Sequence, residues 1–479
     1  MASEIFDRAP LETQRVLLET AVFPSFSLAM ADALSATEFA PRVLTRQFGL
    51  YHFVERQGAD HGREATYRYH PLFRAFLLHR AEQALGAHEL AALRRRAGEL
   101  LTAGGRAEEA AELFAQAGDL DGISRLVLSD AALLLSSGRS RTLADWLALL
   151  PLARIEGDGW LSYWHGQSRF GGDPKRALSA FERALGLFER ARDIEGGWLT
   201  WSAGVHAIVF EGSDFRRLDP WLERAERLFD GPRALATEAA EARVVSAITL
   251  ALVYRGRGPE ARSWVERALS LARSMSDPDL KLSLMGTIHV YCAMQGDVVR
   301  SALLTELLQG AQVAGDTSPL VRLLAIAGEV MVASLQGRER ASLDAVQRGL
   351  SMLRAAAASH LADRLLLYGS LAAIALGERQ TTREFVEQLG KIAATGQPFD
   401  VGSYYYAASC EALDQGDLVW PRTRRTPRSR WRVRSTCRAF WRPARCSRPA
   451  CRSNSAASSW SQTCWPRCAP WKSRCRASS

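Results

Sequence analysis

The sequence predicts an all-α fold built as a solenoid of helix-turn-helix repeats over residues 84–417, with a small separate module over 1–83 and a disordered tail over 418–479. Three observations predict it. Turn glycines recur at near-constant spacing, small and large residues alternate at helical steps beside them, and the composition breaks abruptly after residue 417.

The repeats are read from the glycines. Gly105, Gly138 and Gly172 stand 33 and 34 residues apart, and Gly212, Gly256, Gly296, Gly337, Gly377 and Gly416 follow at steps of 40, 44, 40, 41, 40 and 39. Each lies between two apolar-periodic stretches of helical length, which assigns it the left-handed cap between the two helices of a repeat. The second helix places small residues around a large one: Ala177, Phe181 and Ala184 in one repeat, Ala261, Val265 and Ala268 in another. Small side chains let neighbouring helices approach while the large one fills the gap. This is the logic of a tetratricopeptide-like α-solenoid, with units of about 40 residues instead of the usual ~34. Such units bury their apolar faces only by stacking. Gly416 falls where a second helix is due, so the array is expected to be cut in mid-repeat.

Residues 1–83 have another rhythm. Amphipathic helices are read over 10–23, 27–34 and 38–49, then β-rich runs over 50–55 and 66–70, and a helix over 71–85 opened by Pro71 at a favourable first-turn position. Three helices, a hairpin and a further helix make a winged-helix-like module. The expected recognition segment, 38–49, holds two Arg and no basic cluster, which favours packing over DNA reading.

Residues 418–479 contain no Asp or Glu but fifteen Arg, one Lys, six of the eight Cys and six of the thirteen Trp. Removing those 16 bases from the whole chain's 61 leaves 45 against 52 acids, a net of −7, so the formal charge of +9 belongs to the tail. No core can be built from it. Read one nucleotide late, a GC-rich gene turns Leu codons into Trp and Cys and Ala codons into Arg. Trp460, Cys464, Cys468, Trp471 and Cys475 step by three or four, the spacing of a former apolar helix face. The tail is therefore read as a frameshifted, disordered segment. Two functional alternatives are a basic-aromatic arm on nucleic acid and a zinc site. The second is poorly supported, since the tail has neither a C-x₂-C pair nor a His. Without the tail only Cys292 and Cys410 remain, which fits a reducing compartment. The N-terminus lacks a signal-peptide pattern and no run approaches ~18 uninterrupted apolar residues, so a cytoplasmic location and no membrane partner are expected.

The run Tyr67-Arg68-Tyr69-His70-Pro71-Leu72-Phe73-Arg74-Ala75-Phe76-Leu77 resembles a signature of MalT-type, LuxR-class, ATP-dependent transcriptional activators. The stretches GGRAEEAAELFAQAGD, SGRSRTLADWLALLP and FGGDPKRALSAFERAL are similar to that family's repeats, in the same order, and the resemblance covers about 5–417. It implies an ATPase, a winged helix, a helical-repeat sensor and a DNA-binding helix-turn-helix in a complete member, of which this chain is expected to hold the middle. No G-x₄-G-K-[S/T] occurs in the sequence, so no loop cradles a triphosphate. This chain alone is expected to be no enzyme, to need no cofactor or metal, and to bind no promoter specifically.

The resemblance implies that His70 senses nucleotide state, and only beside an ATPase domain; Pro71 replaces the Asp that often follows. Its plainer reading is a half-buried ring bonded to local backbone. Trp146 is read as an inter-helix anchor, sharing a face with Leu143, Leu147 and Leu150. Trp160, Trp164, Trp198, Trp201, His206, Tyr254, His289 and Tyr368, on the first helices of repeats, could line a concave surface that takes an inducer, a peptide or a partner protein. For each of them alone the core reading is the stronger one, because aromatic residues at helical spacing usually pack. Glu238 and Glu241 read as solvated helix charges, and no nucleophile-base-acid set stands out. The expected function is the regulatory sensor portion of a MalT-like regulator, with possible self-association. The alternative is a stand-alone tetratricopeptide adaptor.

Overall fold

The computed structural model describes residues 2–35, 54–57, 65–212, 214–228, 235, 237–312, 319–353, 361–394 and 398–415. The expected helix over 38–49, Gly416 and the tail over 418–479 lie outside these described residues. The chain forms two compact units, Met1–Leu135 with Arg141–Trp164, and Ser136–Ser140 with His165–Ser479.

The first unit opens with the winged helix. Helices Ala2–Asp7, Leu11–Thr20, Leu28–Ser35 and Pro71–Ala84 surround a three-stranded antiparallel sheet of β1 (Phe26–Ser27), β2 (Val54–Gln57) and β3 (Thr66–Tyr69), in the order β1-β3-β2. The expected hairpin is β2–β3, with Val54 opposite Tyr69 and Gln57 opposite Thr66. The helix Ala2–Asp7 and the strand β1 are additions. A two-residue strand carries no periodicity, and pairing with β3, Phe26 opposite Tyr67, creates it. That pairing stacks the Phe26 ring on Tyr67 and tilts it onto Tyr69, with centroids 6.4 and 5.4 Å apart.

Two groups in the signature run tie the sheet to the helices. The buried Tyr69 hydroxyl lies 2.7 Å from Thr20 Oγ1, which itself donates to the Val16 carbonyl at 2.6 Å, so the phenol is the donor. Burial pushes that phenol up, well beyond the usual range, so it stays protonated. Arg74 reaches the turn after Leu11–Thr20: Nε donates to the Ala21 and Phe23 carbonyls at 3.0 and 2.9 Å, and Nη2 to Val22 at 3.0 Å. The guanidinium thereby satisfies carbonyls that a helix end and turn leave over.

The winged helix and the first repeats share one core. It runs from Phe6 and Phe23 through Leu77, Leu101, Phe114, Leu126 and Leu143 to Leu161, and takes in Trp146 as the expected anchor. Helices Ala87–Ala103, Ala107–Ala117, Leu120–Ser136 and Ser140–Ala148 supply its repeat side, and the winged helix supplies the rest up to Ala81. In the turn after Gly105, Arg106 Nη1 donates to the Ser25 carbonyl at 2.7 Å while Nε pairs with Glu109 Oε1 at 2.7 Å. One arginine thus fixes the first repeat to the β1 end of the winged helix.

The second unit is a run of antiparallel helix pairs, from Pro174–Ala191 and Ile194–Glu211 to Arg379–Ala393 and Pro398–Asp414. Gly105, Gly138, Gly212, Gly256, Gly296, Gly337 and Gly377 adopt the left-handed conformation the spacing called for, with φ from 66° to 77°. Gly172 does not. Gly118 takes that conformation as well, and Arg192, at φ 56°, closes Pro174–Ala191 without glycine. Asp173 caps that helix instead, its carboxylate accepting from the Arg176 N–H at 3.0 Å.

The alanine ladders are buried as expected: Ala177, Phe181, Ala184, Ala261, Val265 and Ala268 all lie in the interior. Close approach is most acute at Gly204, where a Cβ would fall 2.0 Å from Trp221 Cη2. Trp221 is itself anchored, because the fully buried Trp201 donates its indole N–H to the Trp221 carbonyl at 2.7 Å. Among the described residues one helix, Pro319–Gln336, is long and apolar enough to cross a membrane by length and composition. Its Leu323, Ile326 and Val330 pack with Leu343, Val346 and Leu365 in a shared core.

Candidate functional site

The eight candidate surface residues separate into groups. Trp198, Trp201 and His289 are buried core residues that present no surface to a ligand. Trp198 and Trp201 stack edge-to-face at 5.7 Å. Aromatic residues at helical spacing fill the inter-helix gap here, and the concave lining expected of these three is not what they form. Trp160 and Trp164 are half-buried in the first unit, on either side of Tyr163. His206, Tyr254 and Tyr368 are half-buried in the second unit, and the fold brings them into one region around Arg364 and Phe210.

That region closes through Arg364. Its Nη2 donates to the Phe210 carbonyl at 2.9 Å and to Val209 at 3.2 Å, across 154 and 155 residues of chain. These are the last carbonyls of Ile194–Glu211, where the helix dipole and unpaired acceptors favour a cation. The repeats of the second unit therefore curl until the helix Ala362–Leu376 meets the end of Ile194–Glu211. The Phe210 ring packs edge-to-face on Phe170 at 5.2 Å and lies parallel to His206 at 6.5 Å. Tyr254 packs at a tilt on Phe215, with ring centroids 4.7 Å apart. Burial pushes Tyr368 up to about 12 and Tyr254 in the same direction, so both phenols are hydrogen-bond donors at neutral pH.

A polar track runs inward from His206. Nδ1 donates to the Ser202 carbonyl at 2.7 Å, the tautomer assigned from that bond, and Nε2 lies 3.4 Å from Ser246 Oγ. Ser246 Oγ is 2.6 Å from Thr287 Oγ1, which donates to the Ser283 carbonyl at 3.1 Å. Burial holds His206 below the ordinary imidazole value, the bond to Ser202 opposes this and Arg243 adds to it. The ring is neutral, and Nε2 is an acceptor. Phenol donors, an imidazole acceptor, a guanidinium and aromatic faces in one half-buried region can bind a ligand that is part apolar and part polar.

Phe170, Phe210 and Arg364 were not legible as candidates, although a signal existed. Phe170, Phe210 and Tyr254 each stand two residues before a turn glycine, at Gly172, Gly212 and Gly256. A shared register places them at the same end of successive first helices. His70 ends up at the start of Pro71–Ala84, half-buried, its carbonyl accepting from the Arg74 N–H at 2.9 Å and its side chain making no cap bond. Among the described residues, no three His, Cys, Asp or Glu side chains group to hold a metal.

Among the described residues, His289 and Asp363 are buried groups with large and opposite shifts, and His206 acts in the same sense as His289. Burial pulls His289 down to about 4, so its stability contribution is full above its ordinary 6.5 and is lost as pH falls through 4. Burial pushes Asp363 up to about 6, against the adjacent Arg364 and with help from Asp400. The Asp363 contribution is full below its ordinary 3.8 and lost as pH rises through 6. Denaturant midpoints followed across this range should show the opposing trends, each at most about 3 kcal/mol. Asp363→Asn is expected to stabilise the protein at pH 7 and not at pH 3.5, and His289→Gln to reduce the acid loss, with His206 supplying part of what is left. A wild-type pH profile reproduced by both variants would contradict this.

The fold is a winged helix continued into tetratricopeptide-like repeats, a class in which stacked helix pairs present extended binding surfaces. The family model of the MalT winged helix domain matches residues 2–89, so the N-terminal module is of MalT type, as the run from Tyr67 to Leu77 implied. Among solved structures, the chain is similar to the Signal Transduction ATPase with Numerous Domains (STAND) protein with a tetratricopeptide repeat sensor from Pyrococcus horikoshii. The TM-score is 0.54 at 14% identity, over 87% of this chain and 62% of that one. The chain thus spans less than two thirds of that protein's length, and the likeness is one of fold. The APC/C hetero-tetramer Cut9-Hcn1 aligns at 12% identity over 72% of this chain and 80% of that one, with a TM-score of 0.29, too low to carry an argument. No curated protein matches the sequence.

Proposed function

We propose that this chain is the sensor and interaction portion of a MalT-like, LuxR-family bacterial transcriptional regulator, acting in the cytoplasm without catalysis of its own. An inducer or a partner segment binds the second unit around Phe210, His206, Tyr254 and Tyr368. Occupancy shifts the balance between two arrangements of the repeats, and that shift is what the regulator reads. The observation that carries this reading is the Arg364 bridge to the end of Ile194–Glu211: it assembles aromatic faces and polar groups from distant repeats into one half-buried region. The MalT-type winged helix over 2–89 supports the regulatory setting. His70 would report nucleotide state to such a region only through an ATPase domain.

The test is a thermal-shift and tryptophan-fluorescence screen of the full chain against small polar metabolites and short peptides. Binders of the expected site should lose about tenfold or more in affinity in Tyr254→Phe, Tyr368→Phe and Phe210→Leu, since each removes a donor or a packed face. Unchanged affinity in all three variants would overturn this placement. Binding confined to peptides would favour the adaptor reading.

A further inference from the structure

The helix Val298–Gln312 is the second helix of its repeat, and its inner face is spoken for: Ser301, Thr305 and Leu308 are buried, with Thr305 Oγ1 3.3 Å from His289 Nε2. Its outer face is unusual for this chain. Val299, Leu303 and Leu307 stand at successive steps of four on one side and are 72%, 56% and 60% exposed. They lie three, seven and eleven residues after the turn glycine Gly296. The same three positions after Gly256 hold Pro259, Ser263 and Arg267. After Gly337 they hold Arg340, Asp344 and Arg348, and after Gly377 they hold Gln380, Glu384 and Gln388, all exposed. Where neighbouring repeats turn polar or charged residues and one proline outward, this one turns an aliphatic ridge.

The charges beside the ridge identify its occupant. Arg300 and Glu306, both exposed, lie three residues before and three after Leu303, so the outward sequence is a charge-complementary palindrome. About a two-fold axis through Leu303, an antiparallel second copy sets Val299 against Leu307 of that copy, Leu303 against its equivalent, and Arg300 against Glu306, twice. A parallel pairing in register would instead place Arg300 on Arg300 and Glu306 on Glu306, and is disfavoured. Within its own chain Arg300 is held by Asp297 at 3.4 Å, an exposed pair that is worth little and yields readily.

We propose that Val298–Gln312 is a self-association surface on which two copies of this chain pair antiparallel across Leu303. One helix of 15 residues, about 22 Å long, buries less than the ~1,200 Å² of stable complexes. The association is therefore weak, in the micromolar range.

Sedimentation equilibrium of the full chain in reducing, low-salt buffer tests it. A monomer–dimer equilibrium is expected, with the dissociation constant raised at least about tenfold by Leu303→Asp. Arg300→Glu alone and Glu306→Arg alone should each weaken it by about tenfold or more, because both symmetric pairs become repulsive. The double variant Arg300→Glu/Glu306→Arg should return to within about threefold of the wild type, since the reversed pairs are again complementary. Rescue by the double variant separates this contact from a folding defect. A monomeric wild type, single variants without effect, or a double variant as weak as the singles would each overturn the proposal.

Discussion

Replacing Arg74 by Met is expected to lower the stability of the first unit by about 3 kcal/mol, the cost of leaving the carbonyls of three buried residues without their shared donor. Arg74 serves Ala21, Val22 and Phe23 at once, and no other described hydrogen bond spans from Pro71–Ala84 to that turn. Burial holds its guanidinium below the usual arginine value, with Arg68 adding to the effect and Glu112 opposing it, and it remains charged. Met keeps the length and the apolar stem, so the loss isolates the donors. Arg74→Lys should recover less than half, because one ammonium cannot reach three carbonyls in the planar fork of a guanidinium. Amide hydrogen exchange over residues 11–23 is the measurement to make, since a chain of two units has no single unfolding free energy. Equal protection in wild type and Arg74→Met would show that the turn holds itself.

Gly204→Ala is expected to cost the second unit about 2 kcal/mol net. A Cβ there falls 2.0 Å from Cη2 and 2.2 Å from Cζ3 of Trp221, inside any real carbon contact. Overpacking of that kind costs about 3 kcal/mol, and the better helix propensity of Ala offsets about 1 kcal/mol of it. The indole cannot simply swing away, because Trp221 is buried and its ring is enclosed by the core. Trp221→Phe removes the outer ring atoms, so the double variant Gly204→Ala/Trp221→Phe should be less destabilised than the sum of its parts. Amide hydrogen exchange over residues 194–228 in the four proteins checks this. Additive losses would mean that the Gly204–Trp221 contact is relaxed in solution.

The periodic features of the fold were legible. Glycines such as Gly212, Gly256, Gly296 and Gly337 marked turns because only a residue without Cβ takes φ near 70° at no cost, and a repeated cost leaves a repeated residue. Buried alanines such as Ala177 and Ala268 were legible for the same reason: every repeat solves the same packing problem. What does not repeat was missed. β1 exists because β3 offers Phe26 a partner, and Arg192 caps a helix in a left-handed conformation with no glycine to announce it.

Of the candidate surface, aromatic identity was readable and exposure was not. Trp201 and Tyr254 look alike as aromatic residues on first helices, yet one is wholly buried with its indole N–H satisfied and the other is half-buried on Phe215. The sequence by itself determined the architecture, most of the turn positions and the MalT-type winged helix, because these follow from local spacing and from a motif in one continuous run. Only the tertiary structure decided which aromatic residues are core, and that Arg364 meets Phe210. It likewise decided that Val299, Leu303 and Leu307 face outward. Those outcomes depend on how the repeats curl over more than 150 residues, and a curl that sums small rotations at each interface leaves no mark on any single stretch of chain.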